Sequence, residues 1–229
     1  MSHRPVDPDL ARLWPAAALS VRAGDLELRW MDDALLLDVA DLAGQGIHAD
    51  GATPFTVPWT QGTPDQVARN ALTYQWSARN QVSPQVLVLE LAVLRDGKPV
   101  GVQAAHSTNW AVLKEAETGS WLGLDYHGQG IGTRMRIMML ALMFDGLGAA
   151  HITSAAYDDN GPSNAVSRKA GYQPDGLLRD VRQGEAAILN RWRMTRERWS
   201  EVRDHNLGVL GAPLVIDGAE AVREQIQEA

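Results

Sequence analysis

Cysteine is absent from the 229 residues, which excludes a disulfide framework, a thiolate zinc site and a cysteine nucleophile. Long hydrophobic runs are absent too, since none approaches the ~18 residues of a membrane-spanning helix. The opening MSHRPVDPDLARLW carries prolines and acids where a secretory signal needs an apolar stretch. Basic charge is in deficit: 21 Lys and Arg against 28 Asp and Glu give a formal net charge of -7. Phosphate neutralisation needs a basic surface, so no nucleic-acid partner is expected. A cationic partner such as an amine is mildly favoured, although local fields can oppose net charge. These absences predict a chain of the cytoplasm with no membrane partner.

Apolar residues at 45% and charged residues at 21% are what a folded chain with one sizeable core needs. A length prior of about 150 residues per domain allows one or two domains. With no repeat or low-complexity linker in view, the reading is one domain over residues 1–203 and a terminal extension over 204–229.

LSVRAGDLELRWM alternates like an edge strand, and DDALLLDVADLAGQG after it reads as a helix closed by glycine. DGATPFTVPWTQGT is a loop whose Phe55 and Trp59 either line a substrate pocket or plug the underside of a helix. TPDQVARNALTYQWSARNQ opens with Thr and Pro as a helix does. QVLVLELAVL, KPVGVQAAHS and LKEAETGSWLGL follow as strands, the first two joined by a hairpin turn at RDGK. After an apolar helix come the strand AAHITSAAY, the short helix NGPSNAVSRKAGY stopped by Gly171, two strand-like runs over about 172–194, and a short helix TRERWSEVR. Seven strands interleaved with helices predict a mixed α/β, α+β-like domain around one mostly antiparallel twisted sheet.

The most informative stretch is LDYHGQGIGTRMRIMMLALMF, residues 124–144. Gly128, Gly130 and Gly132 free the backbone N-H groups of a tight turn, and the helix beginning near Gly132 adds its own first-turn N-H groups and positive dipole end. Together they make an anion cradle. It is not a nucleoside-triphosphate loop, because Thr133 and Arg134 follow the last glycine where lysine and serine or threonine belong. Nor is it a dinucleotide fingerprint, because Thr133 stands at the third glycine position. Alternatively the glycines only let a strand turn into a helix. The all-apolar RIMMLALMFDGLGAAH reads as a helix buried against the sheet.

His127, Gly128, Gln129, Gly130, Ile131 and Gly132 resemble the coenzyme-A pyrophosphate loop of the general-control-related N-acetyltransferase (GNAT) superfamily, with histidine where that family has glutamine or arginine. Asn160, Ser163, Lys169, Gly171 and Tyr172, in DNGPSNAVSRKAGY, resemble a second motif of the branch that includes the ribosomal-protein alanine acetyltransferases. Glu117, Gly119 and Trp121, in AETGSWLGL, are similar to that branch's approach to its cofactor loop, with Ser120 where an aromatic is usual. The resemblance spans about 112–180, and the order of elements agrees over 20–110.

The resemblance implies the GNAT fold, with pantetheine between two splayed strands near 113–122 and 150–156. It implies an acyl-coenzyme A co-substrate, acetyl-coenzyme A or another, used without metal. The acceptor implied is a primary amine, of a protein N-terminus or a small molecule, attacking directly in a ternary complex. Glu117 is the implied base, directly or through water, with Glu115 as competitor. Ser163 is the implied acid for the leaving thiolate, with Tyr172 as runner-up, and its hydroxyl alternatively serves the first turn of its helix. Backbone N-H groups near Leu122 to Leu124 are implied oxyanion donors. The cofactor set is completed by Thr133 and by Asn160, which also has the composition of a helix N-cap. Acceptor choice is expected from the segments over about 33–83. A longer, acidic acyl group would need a cation, for which Arg134, Arg168 and Arg182 are candidates. A homodimer is compatible with all of this. The alternatives are a non-catalytic coenzyme-A-binding module and, third, a nucleotide-phosphate binder.

Overall fold

The structure is a computed structural model that describes residues 6–49 and 51–227. Residues 1–5 of the opening segment, Asp50 of the aromatic loop and residues 228–229 of the terminal extension lie outside the described residues. In chain order the elements are α1 (Pro8–Leu13), β1 (Ser20–Ala23), β2 (Leu26–Arg29), α2 (Asp33–Gly44), α3 (Pro64–Ala78), β3 (Val86–Arg95) and β4 (Lys98–Thr108). Then come the one-turn α4 (Trp110–Leu113), β5 (Glu115–Leu122), α5 (Ile131–Ala141), β6 (His151–Tyr157), α6 (Gly161–Lys169), β7 (Gln173–Arg182), β8 (Glu185–Thr195), α7 (Arg196–Val209), β9 (Val215–Asp217) and α8 (Ala219–Gln225).

The nine strands form one sheet in the order β7-β8-β6-β5-β4-β3-β2-β1-β9. Every neighbouring pair is antiparallel except β5 and β6. Nine strands stand where the sequence predicts seven, for two reasons. LSVRAGDLELRWM is a hairpin rather than one edge strand: Gly24, at φ +62°, turns the chain between Ala23 and Leu26. The alternation survives the turn because Val21 and Leu28 are register partners, both fully buried. The ninth strand comes from the terminal residues, where β9 pairs with β1 and covers what would have been the sheet's edge.

The division expected at residue 203 falls inside α7, and Val222 and Ile226 beyond it are fully buried in the main core. Residues 204–227 are thus packed with the body of the sheet. Gly218 is required there, because a Cβ on it would stand 2.7 Å from the carbonyl oxygen of Ala18.

Local signals explain the helices flanking the site. Asp32 caps α2 by accepting from the Leu35 N-H at 2.8 Å. Thr63 and Gln66 exchange side-chain and backbone bonds in a reciprocal cap at the start of α3. The RDGK turn has Asp96 and Gly97 at φ +50° and +75°, the two positive angles that a two-residue hairpin needs. Between Ile137 and Met143 every side chain is fully buried, so α5 is the central helix of the core on one sheet face. The chain leaves it through a widened turn, in which the Leu147 N-H donates to the Leu142 carbonyl at 2.9 Å. α2 and α3 cover the opposite face through Leu36, Val39 and Leu72 packed on Ala92, Leu94 and Val102.

Candidate active site

β5 and β6 run parallel for three register pairs only, Glu115 with His151, Ala116 with Ile152 and Glu117 with Thr153. Beyond Glu117, residues 118–122 of β5 keep their partners on β4 but have none on β6. On its other side β6 continues against β8 as far as Tyr157. The sheet therefore opens into a wedge in its middle, and backbone groups along its walls that have lost a strand partner can pair with something inserted.

The glycine turn lies at the mouth of this wedge. Gly128 and Gly130 sit at φ +72° and +79°, and a Cβ on either would meet nothing within 4 Å. Their glycines are required by conformation, and the space beside them is open to a ligand. Gly132 is closely packed instead, since its Cβ would stand 3.3 Å from Val166 Cγ2 on α6, which would have to yield slightly. Gly130 provides no side-chain cap to α5, whose first bond runs from the Arg134 N-H to the Gly130 carbonyl at 3.2 Å. The N-H groups of Ile131, Gly132 and Thr133 are left for an anion. Side chains brace the loop from behind. His127 Nε2 lies 3.1 Å from the Leu122 carbonyl. Gln129 donates to the Asp125 carbonyl at 2.7 Å and accepts from Arg95 at 2.6 Å.

On the far wall, Asn160 accepts from the Ser163 N-H at 3.2 Å and is the N-cap of α6. Asn164, buried beneath, fixes this turn: its Nδ2 donates to the Tyr157 and Asn160 carbonyls, and its Oδ1 accepts from Trp192 Nε1 at 3.0 Å. The capping work is done by Asn160, and the Ser163 hydroxyl makes no hydrogen bond to the described residues. Tyr172 is buried, with its hydroxyl 3.2 Å from Thr118 Oγ1. Burial holds its pKa above the ordinary phenol value despite the nearby Arg136, so it stays protonated.

Of the oxyanion donors expected near Leu122 to Leu124, two are already engaged. The Gly123 N-H already donates to the Val100 carbonyl at 2.9 Å, and the Leu124 N-H to the Gly46 carbonyl at 3.1 Å. As the chain leaves β5, β4 captures the first of these groups and the turn after α2 the second. What remains for that work is the unpaired edge of β5 itself.

Glu117, exposed, shares its sheet face with Gly119 and Trp121 because β5 alternates without a bulge. That face is the one under α2 and α3. Phe55, Trp59 and Trp121 form an aromatic row on it, with ring centroids 5.4 and 5.9 Å apart. Trp59 also packs against Ala40, Ala43, Val67 and Ala71. It is thus both a plug under α2 and α3 and part of a half-exposed wall leading to Glu117. Glu115 lies two residues back along the same strand, where β5 is still paired to β6.

Two groups of functional-looking residues went unread in the sequence. Arg136, 3% exposed, projects from α5 beneath the wedge and donates to Ser154 Oγ on β6 at 3.0 Å and Ser120 Oγ on β5 at 3.2 Å. It forms no ion pair among the described residues. A lone arginine inside MRIMMLALMF was the available signal. The second group is Glu90, His106 and Tyr74 on the face under α3, signalled by a single acid inside VLVLELAVL. The cations considered for an acidic acyl group are engaged elsewhere: Arg134 with Asp25 at 2.6 Å, Arg182 with Asp159 at 2.7 Å, and Arg168 over the Trp192 ring. No three His, Asp or Glu side chains among the described residues are placed to hold a metal ion, and no helix among them is long and apolar enough to cross a membrane.

A mostly antiparallel mixed sheet opened by one short parallel pairing, with a glycine turn and an uncapped helix start at the opening, defines an acyl-coenzyme-A transferase type of fold. The family model for the acetyltransferase (GNAT) domain matches residues 25–173, and the chain belongs to that family. It is 28% identical over 92 residues to YdaF of Bacillus subtilis (strain 168), whose name makes it a candidate ribosomal N-acetyltransferase. That match covers 40% of this chain and about half, 50%, of the relative. Among solved structures it is similar to RimJ of Mycobacterium smegmatis in complex with coenzyme-A disulfide, with a TM-score of 0.65, 25% identity, and 85% and 93% of the two chains covered. RimL, the ribosomal L7/L12 α-N-protein acetyltransferase in complex with coenzyme A, has a TM-score of 0.58 at 18% identity, over 77% of this chain and 97% of its own.

Proposed function

We propose that this protein is an N-acetyltransferase that moves an acetyl group from acetyl-coenzyme A to a primary amine in a ternary complex. The observation that carries the reading is the end of β5-β6 pairing at Glu117 and Thr153, beside a glycine turn whose outer space is open. An extended amide chain fits the wedge as an added strand would, with its pyrophosphate against Gly128 to Thr133. When bound, the coenzyme supplies the thioester; the protein's residues orient it and manage protons.

Each residue's part follows from where it sits. The free edge of β5 past Glu117 offers N-H groups to the charge that develops on the attacked carbonyl oxygen. Asn160 holds the turn beside the pantetheine arm, and the unengaged Ser163 hydroxyl is available to give a proton to the departing sulfur. Glu117 anchors the acceptor ammonium at the opening and starts its deprotonation, while Phe55, Trp59 and Trp121 guide the acceptor along the face under α2 and α3. The kinship with YdaF, RimJ and RimL favours a protein N-terminus as the acceptor over a small amine. Residence in the cytoplasm and action without a metal belong to the same reading.

Calorimetric titration with acetyl-coenzyme A, succinyl-coenzyme A and ATP, each alone, tests the cradle. Binding of an acyl-coenzyme A but not ATP is expected. No binding to any of the three would mean that the glycines only shape a turn, and the reading would be abandoned.

A further inference from the structure

The sheet face under α3 carries an acid-base group with no part in the steps above. Glu90 on β3 has a side chain only 8% exposed. Its Oε1 accepts from the Tyr74 hydroxyl at 2.8 Å and lies 2.7 Å from His106 Nε2, and its Oε2 accepts from Gln75 Nε2 at 3.0 Å. Tyr74 and Gln75 come from α3, and His106 comes from β4. An ionised carboxylate only accepts, so its partner Nε2 carries the imidazole hydrogen and Nδ1 keeps the lone pair. Nδ1 makes no hydrogen bond to the described residues, and the His106 side chain is 42% exposed.

The register then places this histidine at the wedge. His106 is the partner of Glu117 across β4 and β5, and Glu117 is the partner of Thr153 where β5 and β6 part. Partners directly opposite in a sheet point to the same face, about 4.5–5.5 Å apart at Cβ. A buried carboxylate, an imidazole and an exposed carboxylate therefore run in a row across β3, β4 and β5 and end where the thioester carbonyl would lie.

We propose that His106, oriented by Glu90, is the group that takes the proton from the acceptor ammonium, with Glu117 holding that ammonium beside it. The proposal rests on the acetyltransferase reading and refines the part of Glu117 in it. One proton passes from the ammonium nitrogen to Nδ1 of His106. The freed amine forms the new C-N bond as the C-S bond breaks. The second proton that nitrogen sheds on becoming an amide passes to the Ser163 hydroxyl as that hydroxyl gives its own proton to the thiolate, and His106 returns the first proton to solvent. Imidazole suits the task, since its reference pKa of about 6.5 lies closer to the 7.7 to 8.0 of a terminal amine than that of any carboxylate.

The surrounding charges reinforce the assignment. The titratable groups facing His106 are Tyr74 from α3, Glu90 from β3 and Glu117 from β5. Burial lowers the pKa of His106, but the hydrogen bond and charge of Glu90, with the charge of Glu117, outweigh it and leave the value raised. Burial and the Glu90 charge raise Tyr74 far enough to keep it a neutral donor. Glu90 is the positioning residue: it fixes the tautomer and steadies the imidazolium that forms, as a buried acid does behind a catalytic histidine in hydrolases.

The test follows thiol release from acetyl-coenzyme A, with peptides beginning in alanine or serine as acceptors, as a function of pH. Nuclear magnetic resonance titration of the imidazoles and calorimetric coenzyme binding accompany each variant. The wild type should gain kcat/KM as His106 deprotonates, on an acidic limb above pH 6.5. Glu90→Gln should move that limb and the His106 titration to lower pH together, a shift that a purely structural role of Glu90 would not produce. His106→Gln should lower turnover by about 100-fold or more while leaving acetyl-coenzyme A affinity within twofold. An unmoved limb in Glu90→Gln, or full turnover in His106→Gln, would overturn the assignment with the acetyltransferase reading intact. Coenzyme binding without transfer to any peptide would favour a non-catalytic module and remove both.

Discussion

Arg136 Nη1 donates to Ser154 Oγ across 3.0 Å, and the same guanidinium reaches Ser120 Oγ at 3.2 Å, so one side chain bridges β5 and β6 where their backbones have stopped pairing. A buried guanidinium without a carboxylate is costly unless its N-H groups are satisfied. Here neutral oxygens satisfy them, and in doing so set the width of the wedge from below. Arg136→Ala is expected to lower unfolding free energy by about 2–4 kcal/mol, from the void and the stranded polar atoms. Arg136→Met should cost less, because it keeps volume and removes the buried charge. Urea unfolding of the two variants checks the ranking, and equal stability of Arg136→Ala and wild type would show that the bridge carries no load.

Gly130 and Gly132 should respond differently to a methyl group. Gly130→Ala meets open space but must hold φ +79°, at a cost of about 1–2 kcal/mol, and it should also weaken coenzyme binding at the cradle. Gly132→Ala has an ordinary helical backbone but presses on Val166 Cγ2 at 3.3 Å, so the loss should appear in stability more than in affinity. Denaturant midpoints read beside coenzyme affinities separate the two.

Asn160→Ala removes the cap of α6, and about 1 kcal/mol of stability should go with it. Ser163→Ala should leave the melting temperature unchanged, because its hydroxyl bonds to none of the described residues, while kcat falls with little change in KM for acetyl-coenzyme A. Full turnover in Ser163→Ala across the pH range would remove Ser163 as the acid.

Asp25 accepts from Arg134 and lies 3.3 Å from Arg95. The Arg134 hydrogen bond, partly offset by burial, holds its carboxyl below the usual value of 3.8. A depressed carboxyl stabilises the fold above its unfolded pKa and loses that contribution as pH falls through the folded value. With its side chain 31% exposed, solvent screening keeps the effect under about 1 kcal/mol. Asp25→Asn should therefore narrow the stability gap to wild type below pH 3.8, as acid titration followed by circular dichroism will show.

By itself the sequence determined most of the elements and the glycine turn that opens α5, because both are local. Alternation, caps such as Asp32 and Thr63, and positive-φ glycines at 128 and 130 act within a few residues of one another. It did not determine that GD at residues 24–25 makes two strands of one, or that β9 returns to cover β1, since alternation does not record which strand is a neighbour. Nor did it reveal that Arg136 spans Ser120 and Ser154, or that Glu90, His106 and Glu117 stand in a row. Those residues lie on separate elements far apart in the chain, and only strand register and helix packing bring them together. A charged residue within an apolar run was the trace left in the sequence. What it was for depended on the partners that tertiary structure supplied.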